Sequence, residues 1–156
     1  MTVAIAVQVA LAMPGLPGAA DLRRWAMAAL KEAGRQGPAE LVLRLVNEAE
    51  ITSLNETYRH KQGPTNVLAF PFTPPAGVDS PLLGDVVICA PLAVREAVAQ
   101  HKTLAAHWAH LVIHGVLHLL GYDHHSDVQA AAMEALEIRI LAGLGYPDPY
   151  GDWGLP

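Results

Sequence analysis

Apolar residues recur along this chain with two different periods, and each period predicts a different kind of element. Between Val3 and Val9 the apolar residues occupy the odd positions and alternate with small or polar ones, which is typical of a half-buried strand. Farther along, apolar residues three and four positions apart indicate amphipathic helices. The clearest stripe of this kind consists of Met133, Leu136, Ile140 and Leu144. The chain therefore combines strands and helices.

The order of these elements predicts a single α/β domain that takes up residues 1–156. Strands are predicted at residues 3–9, 41–46, 66–72 and 84–90. Helices are predicted at residues 21–34, 47–58, 91–100, 103–120 and 126–144. This order, β-α-β-α-β-β-α-α-α, favours a mixed, roughly four-stranded sheet covered by about five helices. Residues from about 145 to 156 are rich in glycine, proline and aromatic residues, and we expect a tail that is loosely ordered or draped on the body.

Polar residues predict where several helices begin. Asp21 and Asn47 are of the type that caps a helix by accepting a hydrogen bond from a backbone N–H of the first turn. Ser126 followed by Gln129 makes a capping-box pattern. Pro91 suits a first helical turn, where no backbone N–H is needed.

Composition narrows the class of protein. With 156 residues, of which 52% are apolar and 16% charged, the chain is long and apolar enough to form one globular core. Cys89 is the single cysteine, so an internal disulfide is excluded, and its apolar surroundings favour a packed thiol over a nucleophile. The net charge of −5 argues against a generally basic nucleic-acid binder but leaves room for a local basic cleft.

Two apolar runs have to be weighed as targeting or membrane segments. No Lys or Arg precedes the first run, residues 1–13, and Gln8 interrupts it, so we expect no signal peptide. The second run, residues 104–120, contains four histidines, which argues against a membrane span. We therefore expect a cytoplasmic protein that does not bind a membrane.

Three histidines within eleven residues predict a metal site at the end of a central helix. Residues i and i+4 lie one above the other on a helix, so His114 and His118 can point at one ion. Gly121 is of the type that ends helices, because it adopts positive φ without steric strain, and the chain can then turn back and bring in His124. Three histidine ligands leave a fourth tetrahedral position open, which is the arrangement of catalytic zinc.

Neighbouring histidines leave alternatives open. His107 and His110 fall on the same helical face, and His110 with His114 is another i, i+4 pair, so spacing alone does not choose the ligands. The position of His124, just beyond the helix end, favours the later pair. His107 and His110 would then surround the site, face the substrate or be solvated, and we expect His125 in an exposed loop. A single histidine on an apolar helix is more often a hydrogen-bonded core residue, but three of them beside a helix stop fit that explanation poorly.

Arg59, His60 and Lys61 form a cationic group at the predicted end of the second helix. Arginine suits phosphate because its planar fork donates two parallel hydrogen bonds. Lys61 would add a point charge toward a substrate. The alternative is a solvated helix end, where cations merely complement the helix dipole.

Two segments resemble a known family. Residues 114–124 read His-Gly-Val-Leu-His-Leu-Leu-Gly-Tyr-Asp-His, which is similar to the H-G-x-L-H-L-x-G-Y-D-H signature of the YbeY family of bacterial rRNA maturation factors and endoribonucleases. Residues 54–71 resemble that family's L-N-x-x-Y-R-x-K-D-x-P-T-D-V-L-S-F-P pattern. Shorter matches at residues 83–88 and 145–147 extend the likeness to about residues 41–150. On these motifs the chain is identified as a member of the family.

The resemblance implies a zinc-dependent, single-strand-specific endoribonuclease that acts in 16S rRNA 3′-end maturation and ribosome quality control. It implies one zinc ion held by His114, His118 and His124, with Arg59 as the catalytic arginine. Implied partners are precursor rRNA, small-subunit ribosomal proteins and an Era-type GTPase.

The chain departs from the family pattern at three positions. Gln62 and Asn66 stand where the family usually has aspartate, and Ala69 stands where it has serine. The histidines and Arg59 remain, so we expect the chemistry to persist and substrate contacts or the level of activity to differ.

Two other functions compete with RNA cleavage. A zinc peptidase or amidase would normally carry glutamate directly after the first histidine, as in H-E-x-x-H, where this chain has Gly115. No general base is evident from the sequence, although Asp85 or Asp123 could substitute, and Asp123 is as well suited to orienting a ligand histidine. The other alternative is a non-catalytic ribosome assembly factor with a structural metal.

Overall fold

Four strands form one mixed sheet in the structure, a computed structural model that describes residues 2–151. The strands are β1 (Val3–Val9), β2 (Ala39–Val46), β3 (Val67–Pro71) and β4 (Leu82–Cys89). Their spatial order is β1-β2-β4-β3, in which β1, β2 and β4 are parallel and β3 runs antiparallel to β4. This is the mixed sheet that the order of elements predicts.

Five α-helices accompany the sheet. They are α1 (Ala19–Glu32), α2 (Glu48–Leu54), α3 (Ala90–Ala99), α4 (Leu104–Leu119) and α5 (Asp127–Gly143). Helix α4 is central, because it packs on β3 and β4 and also against α1, α3 and α5. The predicted α/β class, the element order and the central position of the histidine helix are confirmed.

Strand bounds differ from the predicted ones where a pairing partner extends them. β2 begins two residues early because Ala39 already pairs with Val3 of β1. β4 begins two residues early because Leu82 pairs with Glu40 of β2. Local sequence does not reveal these pairings, since each depends on a strand that is distant along the chain.

Two of the predicted helix caps are confirmed and one is wrong. Asn47 and Ser126 each accept a hydrogen bond from the backbone N–H three residues on, at 2.9 and 3.1 Å. Asp21 does not cap α1, because the helix already begins at Ala19. Asp21 instead lies in the first turn, where it complements the helix dipole and pairs with Arg24 at 3.2 Å.

A π turn, Asn55–Arg59, follows α2 and changes which side chains face the core. The sequence places Ile51, Leu54 and Tyr58 on one helical face. The π turn holds an extra residue, which rotates the following side chains, so Tyr58 is 62% exposed while Ile51 is buried. The prediction of one continuous apolar face is therefore wrong beyond Leu54.

Two expectations from composition can be compared with the structure. Cys89 is buried, and burial raises the pKa of its thiol, so the packed thiol is confirmed. None of the helices between residues 2 and 151 has the length and apolar character that a membrane-spanning helix needs.

Helix α4 lies so close to β4 that one of its positions has room only for glycine. A Cβ atom at Gly115 would overlap Cγ1 of Val86. Val86 is itself fully buried in β4, so it has little freedom to move aside. The glycine thus lets the histidine helix approach the sheet.

Gly115→Ala is expected to lower the free energy of unfolding by about 1–3 kcal/mol, because the added methyl group overpacks the helix–sheet contact. Urea denaturation followed by circular dichroism measures this change. Gly143→Ala is the matched control, since Gly143 is also helical but a Cβ there meets nothing within 4 Å. Equal stability of the Gly115→Ala variant and the parent chain would contradict the packing argument.

Candidate metal centre and its cleft

Helix α4 ends in a turn that brings the third histidine to the first two. Gly121 has φ +100 and donates its N–H to the carbonyl of His118 at 3.1 Å, while the N–H of Tyr122 bonds the carbonyl of Leu117 at 3.1 Å. This pair of bonds is the Schellman motif, which closes a helix and reverses the chain. His124 therefore lies beside the last turn of α4, as the glycine predicts.

The three predicted ligands converge on one point. His114 Nε2 and His118 Nε2 are 3.1 Å apart, and ligand nitrogens of all three histidines lie within 4.8 Å of one another. The ring of His124 stacks on that of His114 with centroids 5.0 Å apart. Two nitrogens that bind one tetrahedral zinc at normal bond lengths lie about 3.3 Å apart. The donor set and the spacing of its first pair therefore fit zinc.

The protonation state of His118 suits metal binding. Burial, reinforced by the charges of His114 and His124, lowers its pKa to about 4. The ring is therefore neutral at pH 7 and keeps a lone pair, which a metal ligand needs.

A buried carboxylate that sequence reasoning missed lies directly behind these histidines. Oε2 of Glu137, on α5, accepts hydrogen bonds from His110 Nε2 at 2.7 Å and from His114 Nδ1 at 3.1 Å. Burial alone would raise the pKa of Glu137, but the two histidine bonds outweigh burial and lower the pKa to about 2. The sequence held a signal for this residue, because Glu137 falls one turn from Met133 and from Ile140 in an apolar stripe.

The described part of the C-terminal tail, residues 145–151, is docked over this carboxylate. The hydroxyl of Tyr150 donates to Glu137 Oε1 at 2.8 Å, and the tyrosine ring packs edge-on against His110 with centroids 5.4 Å apart. Lys102 Nζ donates to the carbonyl of Pro149 at 2.6 Å. These residues are draped on the body, and the rest of the predicted tail, residues 152–156, lies outside the described residues.

The spacing left two possible histidine pairs, and in the structure each pair has a further potential ligand beside it, His124 in one case and Glu137 in the other. His110, His114 and Glu137 also have ligand atoms within 4.8 Å of one another. The two sets use opposite nitrogens of the shared histidine, since Nδ1 of His114 faces Glu137 and Nε2 faces His118. Among the described members of the two sets, His114 and His118 line the cleft, whereas His110 and Glu137 do not, and Glu137 is fully buried.

The cleft, of about 530 Å³, joins the histidines to the cationic loop. Arg59, Lys61 and residues of β3 line the cleft together with residues of α4 and of the turn that follows it. The guanidinium of Arg59 donates to the carbonyl of Ala69 on β3 and lies 5.3 Å from the centre of the Phe70 ring. The fold thus brings the candidate arginine and two of the three candidate metal ligands, His114 and His118, into one cleft.

The other candidate histidines have separate partners. His110 does not line the cleft in the described part of the chain and is held by Glu137 instead, so its predicted substrate contact stays a prediction without support. His107 is buried, and its Nε2 bonds Glu96 at 2.9 Å. His125 is exposed at the rim of the cleft, as expected of a loop residue.

The two carboxylates weighed as general bases differ in position. Asp85 is exposed on β4 and does not line the cleft among the described residues. Asp123 does line it, and its two oxygens accept from the N–H of His124 at 2.7 Å and from His125 Nε2 at 2.8 Å. Asp123 therefore shapes the turn that carries His124.

The departures from the family pattern leave the histidines and Arg59 in place. Asn66 donates its amide to Glu96 at 3.1 Å, a contact in which aspartate would set two carboxylates against each other. Ala69 lines the cleft and offers its carbonyl to Arg59, whereas Gln62 is exposed and does not line the cleft among the described residues. The lost serine hydroxyl is thus the one departure of the three that alters the cleft surface.

Sequence comparison finds known proteins that are similar to this chain over most of its length. The family described as Endoribonuclease YbeY matches residues 18–145. Endoribonuclease YbeY of Nitrosococcus oceani is 52% identical over 152 residues, which cover 96% of this chain and 98% of that protein. The proteins of the same name from Alkalilimnicola ehrlichii and Stutzerimonas stutzeri are 60% and 58% identical. Both matches cover 87% of this chain, with 83% and 84% of the respective relative.

A solved structure shares the architecture. The solution structure of TM1509 from Thermotoga maritima superposes with a TM-score of 0.59, covering 97% of this chain and 99% of that one. The two sequences are 24% identical, so the likeness is evidence for the fold alone.

Proposed function

Since this chain belongs to the Endoribonuclease YbeY family, we propose that it is a metal-dependent endoribonuclease that cuts single-stranded RNA during ribosomal RNA maturation. The observation that carries the proposal is that an exposed arginine lines the same cleft as His114 and His118, two members of a histidine trio able to bind a metal. Both groups stabilise negative charge on a phosphate and on the transition state of its cleavage. The family resemblance supports the 16S rRNA 3′ end as the place of cleavage, and a part in ribosome quality control.

We assign one zinc ion per chain to His114, His118 and His124. Catalytic zinc sites typically have three protein ligands, and the fourth coordination position is left open for water or substrate. Bound there, zinc would polarise a phosphoryl oxygen or lower the pKa of a water molecule. The chain's part is to hold three imidazole nitrogens within 4.8 Å of one another, with His114 and His118 lining the cleft that a substrate would enter.

Arg59 is assigned to the scissile phosphate. Its guanidinium is oriented by the Ala69 carbonyl on one side and by the Phe70 ring beneath it. A guanidinium has five N–H donors, and the contact with one carbonyl leaves a pair of them for a phosphate. Lys61 is exposed and lines the same cleft. Its ammonium group adds a positive charge where an anionic RNA strand would approach, on a chain whose net charge is −5.

An exposed aromatic side chain beside Arg59 supports single-stranded RNA as the substrate. The Tyr58 ring is 62% exposed and contacts Phe70 edge-to-face, with centroids 5.6 Å apart. Exposed aromatic rings bind unpaired bases by stacking, while a duplex keeps its bases stacked on one another. A nucleotide whose phosphate is held by Arg59 would therefore find Tyr58 within reach of its base or of the adjacent one.

Tyr58→Ala is expected to weaken binding of a single-stranded RNA oligonucleotide by roughly 1–3 kcal/mol, which is the contribution of one stacked base. Fluorescence anisotropy measures the Kd, with cleavage suppressed by a chelator. Tyr58→Phe is the matched control and should bind like the parent chain, because it retains the ring. Equal affinity of the alanine variant would remove Tyr58 from the binding surface.

A substrate panel tests the proposed function directly. Purified chain stripped of metal and reloaded with zinc is expected to cut single-stranded RNA, to spare duplex RNA, and to lose activity when the chelator is added again. Peptide and amide substrates are expected to remain intact, because Gly115 supplies no catalytic glutamate and has no room for one. Cleavage of peptides without cleavage of RNA would overturn the proposal in favour of an amide hydrolase.

The family resemblance also supports the proposed partners, which are precursor rRNA, small-subunit ribosomal proteins and an Era-type GTPase, and a cytoplasmic location. The acidic net charge agrees with recruitment through proteins, since tight unaided RNA binding normally draws on many basic residues.

A further inference from the structure

The Glu137 carboxylate is completely buried, yet three donors surround it. Its Oε2 accepts from His110 Nε2 and His114 Nδ1, and its Oε1 accepts from the Tyr150 hydroxyl at 2.8 Å. A buried carboxylate without such partners would be strongly unfavourable, so this set of donors keeps it ionised inside the fold. The three donors come from two separate parts of the chain, α4 and the C-terminal segment.

The hydrogen bond to Glu137 determines which nitrogen of His114 can bind a metal. A neutral imidazole carries one proton, and Nδ1 donates it to the carboxylate. The lone pair is therefore on Nε2, the nitrogen that faces His118 Nε2 at 3.1 Å. A carboxylate that accepts from a ligand histidine in this way fixes the tautomer and the plane of the ring and makes the histidine a stronger ligand.

We propose that Glu137 is the positioning residue of the metal centre, and that Tyr150 in the C-terminal segment holds Glu137 in place, so that residues 145–151 tune metal affinity. The proposal rests on the proposed function only for the metal centre and does not depend on RNA cleavage. Tyr150 suits this task because burial and the nearby carboxylate raise the pKa of its hydroxyl, which therefore remains a hydrogen-bond donor.

A direct ligand role for Glu137 fits the contacts less well. A metal between His110, His114 and Glu137 would take Nδ1 of His114 and would displace the histidine N–H groups that now neutralise the carboxylate. Such a metal would also lie behind His114, away from the cleft. The positioning role needs no rearrangement of any of these contacts.

Metal affinity tests the proposal without an activity assay. We expect Glu137→Gln to bind zinc about 10–100-fold more weakly in competition with a chromophoric chelator, as for other carboxylates that orient metal-bound histidines. The visible absorption of the cobalt-loaded chain should change as well, because the ring of His114 is no longer fixed. Tyr150→Phe, which removes a single hydroxyl at a partly exposed side chain, should weaken zinc binding in the same direction and by a smaller factor.

Glu96→Gln is the matched control. Glu96 also accepts a hydrogen bond from a histidine of α4, His107 at 2.9 Å, but that histidine is outside the proposed ligand set. The control should bind zinc like the parent chain. If Glu137→Gln and Tyr150→Phe lower only thermal stability and leave the zinc Kd and the cobalt spectrum unchanged, Glu137 is a structural carboxylate and the proposal is wrong. Failure of the parent chain to bind zinc or cobalt would instead overturn the metal centre, and the proposed function with it.

Discussion

His118→Ala is expected to abolish zinc binding and, with it, RNA cleavage. His118 is assigned one of the three ligand nitrogens, so its loss leaves two imidazoles, which hold zinc poorly. The fold should persist, because His118 lies at the edge of the cleft and the large apolar core does not depend on it. Zinc per chain is measured by mass spectrometry, cleavage by a labelled single-stranded RNA, and folding by circular dichroism.

His125→Ala is the control for this experiment, since His125 is an exposed neighbour on the rim of the same cleft and lies outside the trio. It should retain zinc and activity. Full zinc content in His118→Ala would contradict the ligand assignment. It would instead favour the alternative ligand set of His110, His114 and Glu137. Collapse of the fold together with loss of zinc would favour a structural metal, as an assembly factor would have.

Arg59→Ala is expected to lower kcat for RNA cleavage by about 10²–10³-fold, the effect of removing one donor that stabilises charge in a transition state. Zinc content and the free energy of unfolding should hardly change, because Arg59 is exposed and its guanidinium contacts the Ala69 carbonyl and the Phe70 ring at the surface. Single-turnover kinetics with zinc-loaded protein separate the chemical step from RNA binding.

The Arg59→Lys variant separates the effect of the planar guanidinium group from the effect of its positive charge. Lysine keeps the positive charge but cannot donate two parallel hydrogen bonds, so we expect activity between those of the parent chain and the alanine variant. Unchanged kcat in Arg59→Ala would remove the arginine from the mechanism while leaving the metal centre intact.

The histidines proposed as metal ligands illustrate how far a local pattern reaches. The i, i+4 spacing of His114 and His118 and the helix stop at Gly121 depend only on neighbouring residues, and both features are present in the structure. The same spacing also allowed His110 with His114. In the structure His110 and His114 both bond the Glu137 carboxylate on α5, whereas His114 and His118 face each other through their Nε2 atoms.

The C-terminal segment and the π turn show where local reasoning ends. Tyr150 belongs to a tail that the sequence predicts to be loosely ordered or draped on the body, and the fold places its hydroxyl on the buried carboxylate of Glu137 in α5. Tyr58 looks like a core residue at helical spacing until the π turn rotates it outward beside Arg59. Each tyrosine then contacts a residue that is distant along the chain, Glu137 for Tyr150 and Phe70 for Tyr58.

The sequence by itself determined the element order and the mixed α/β class, which follow from the periodicity of apolar residues. It also determined two of the three predicted polar helix caps and the convergence of the three histidines, because these depend on backbone preference and short-range geometry. The tertiary structure decided which face of α4 opens to the cleft, and that Arg59 lines the same cleft. It also decided that the Val86 side chain leaves room only for glycine at position 115, and that the Glu137 carboxylate lies within hydrogen-bond distance of His114. These features depend on how closely helices pack on a sheet and on which buried charge finds donors, and such contacts arise only when distant segments are brought together.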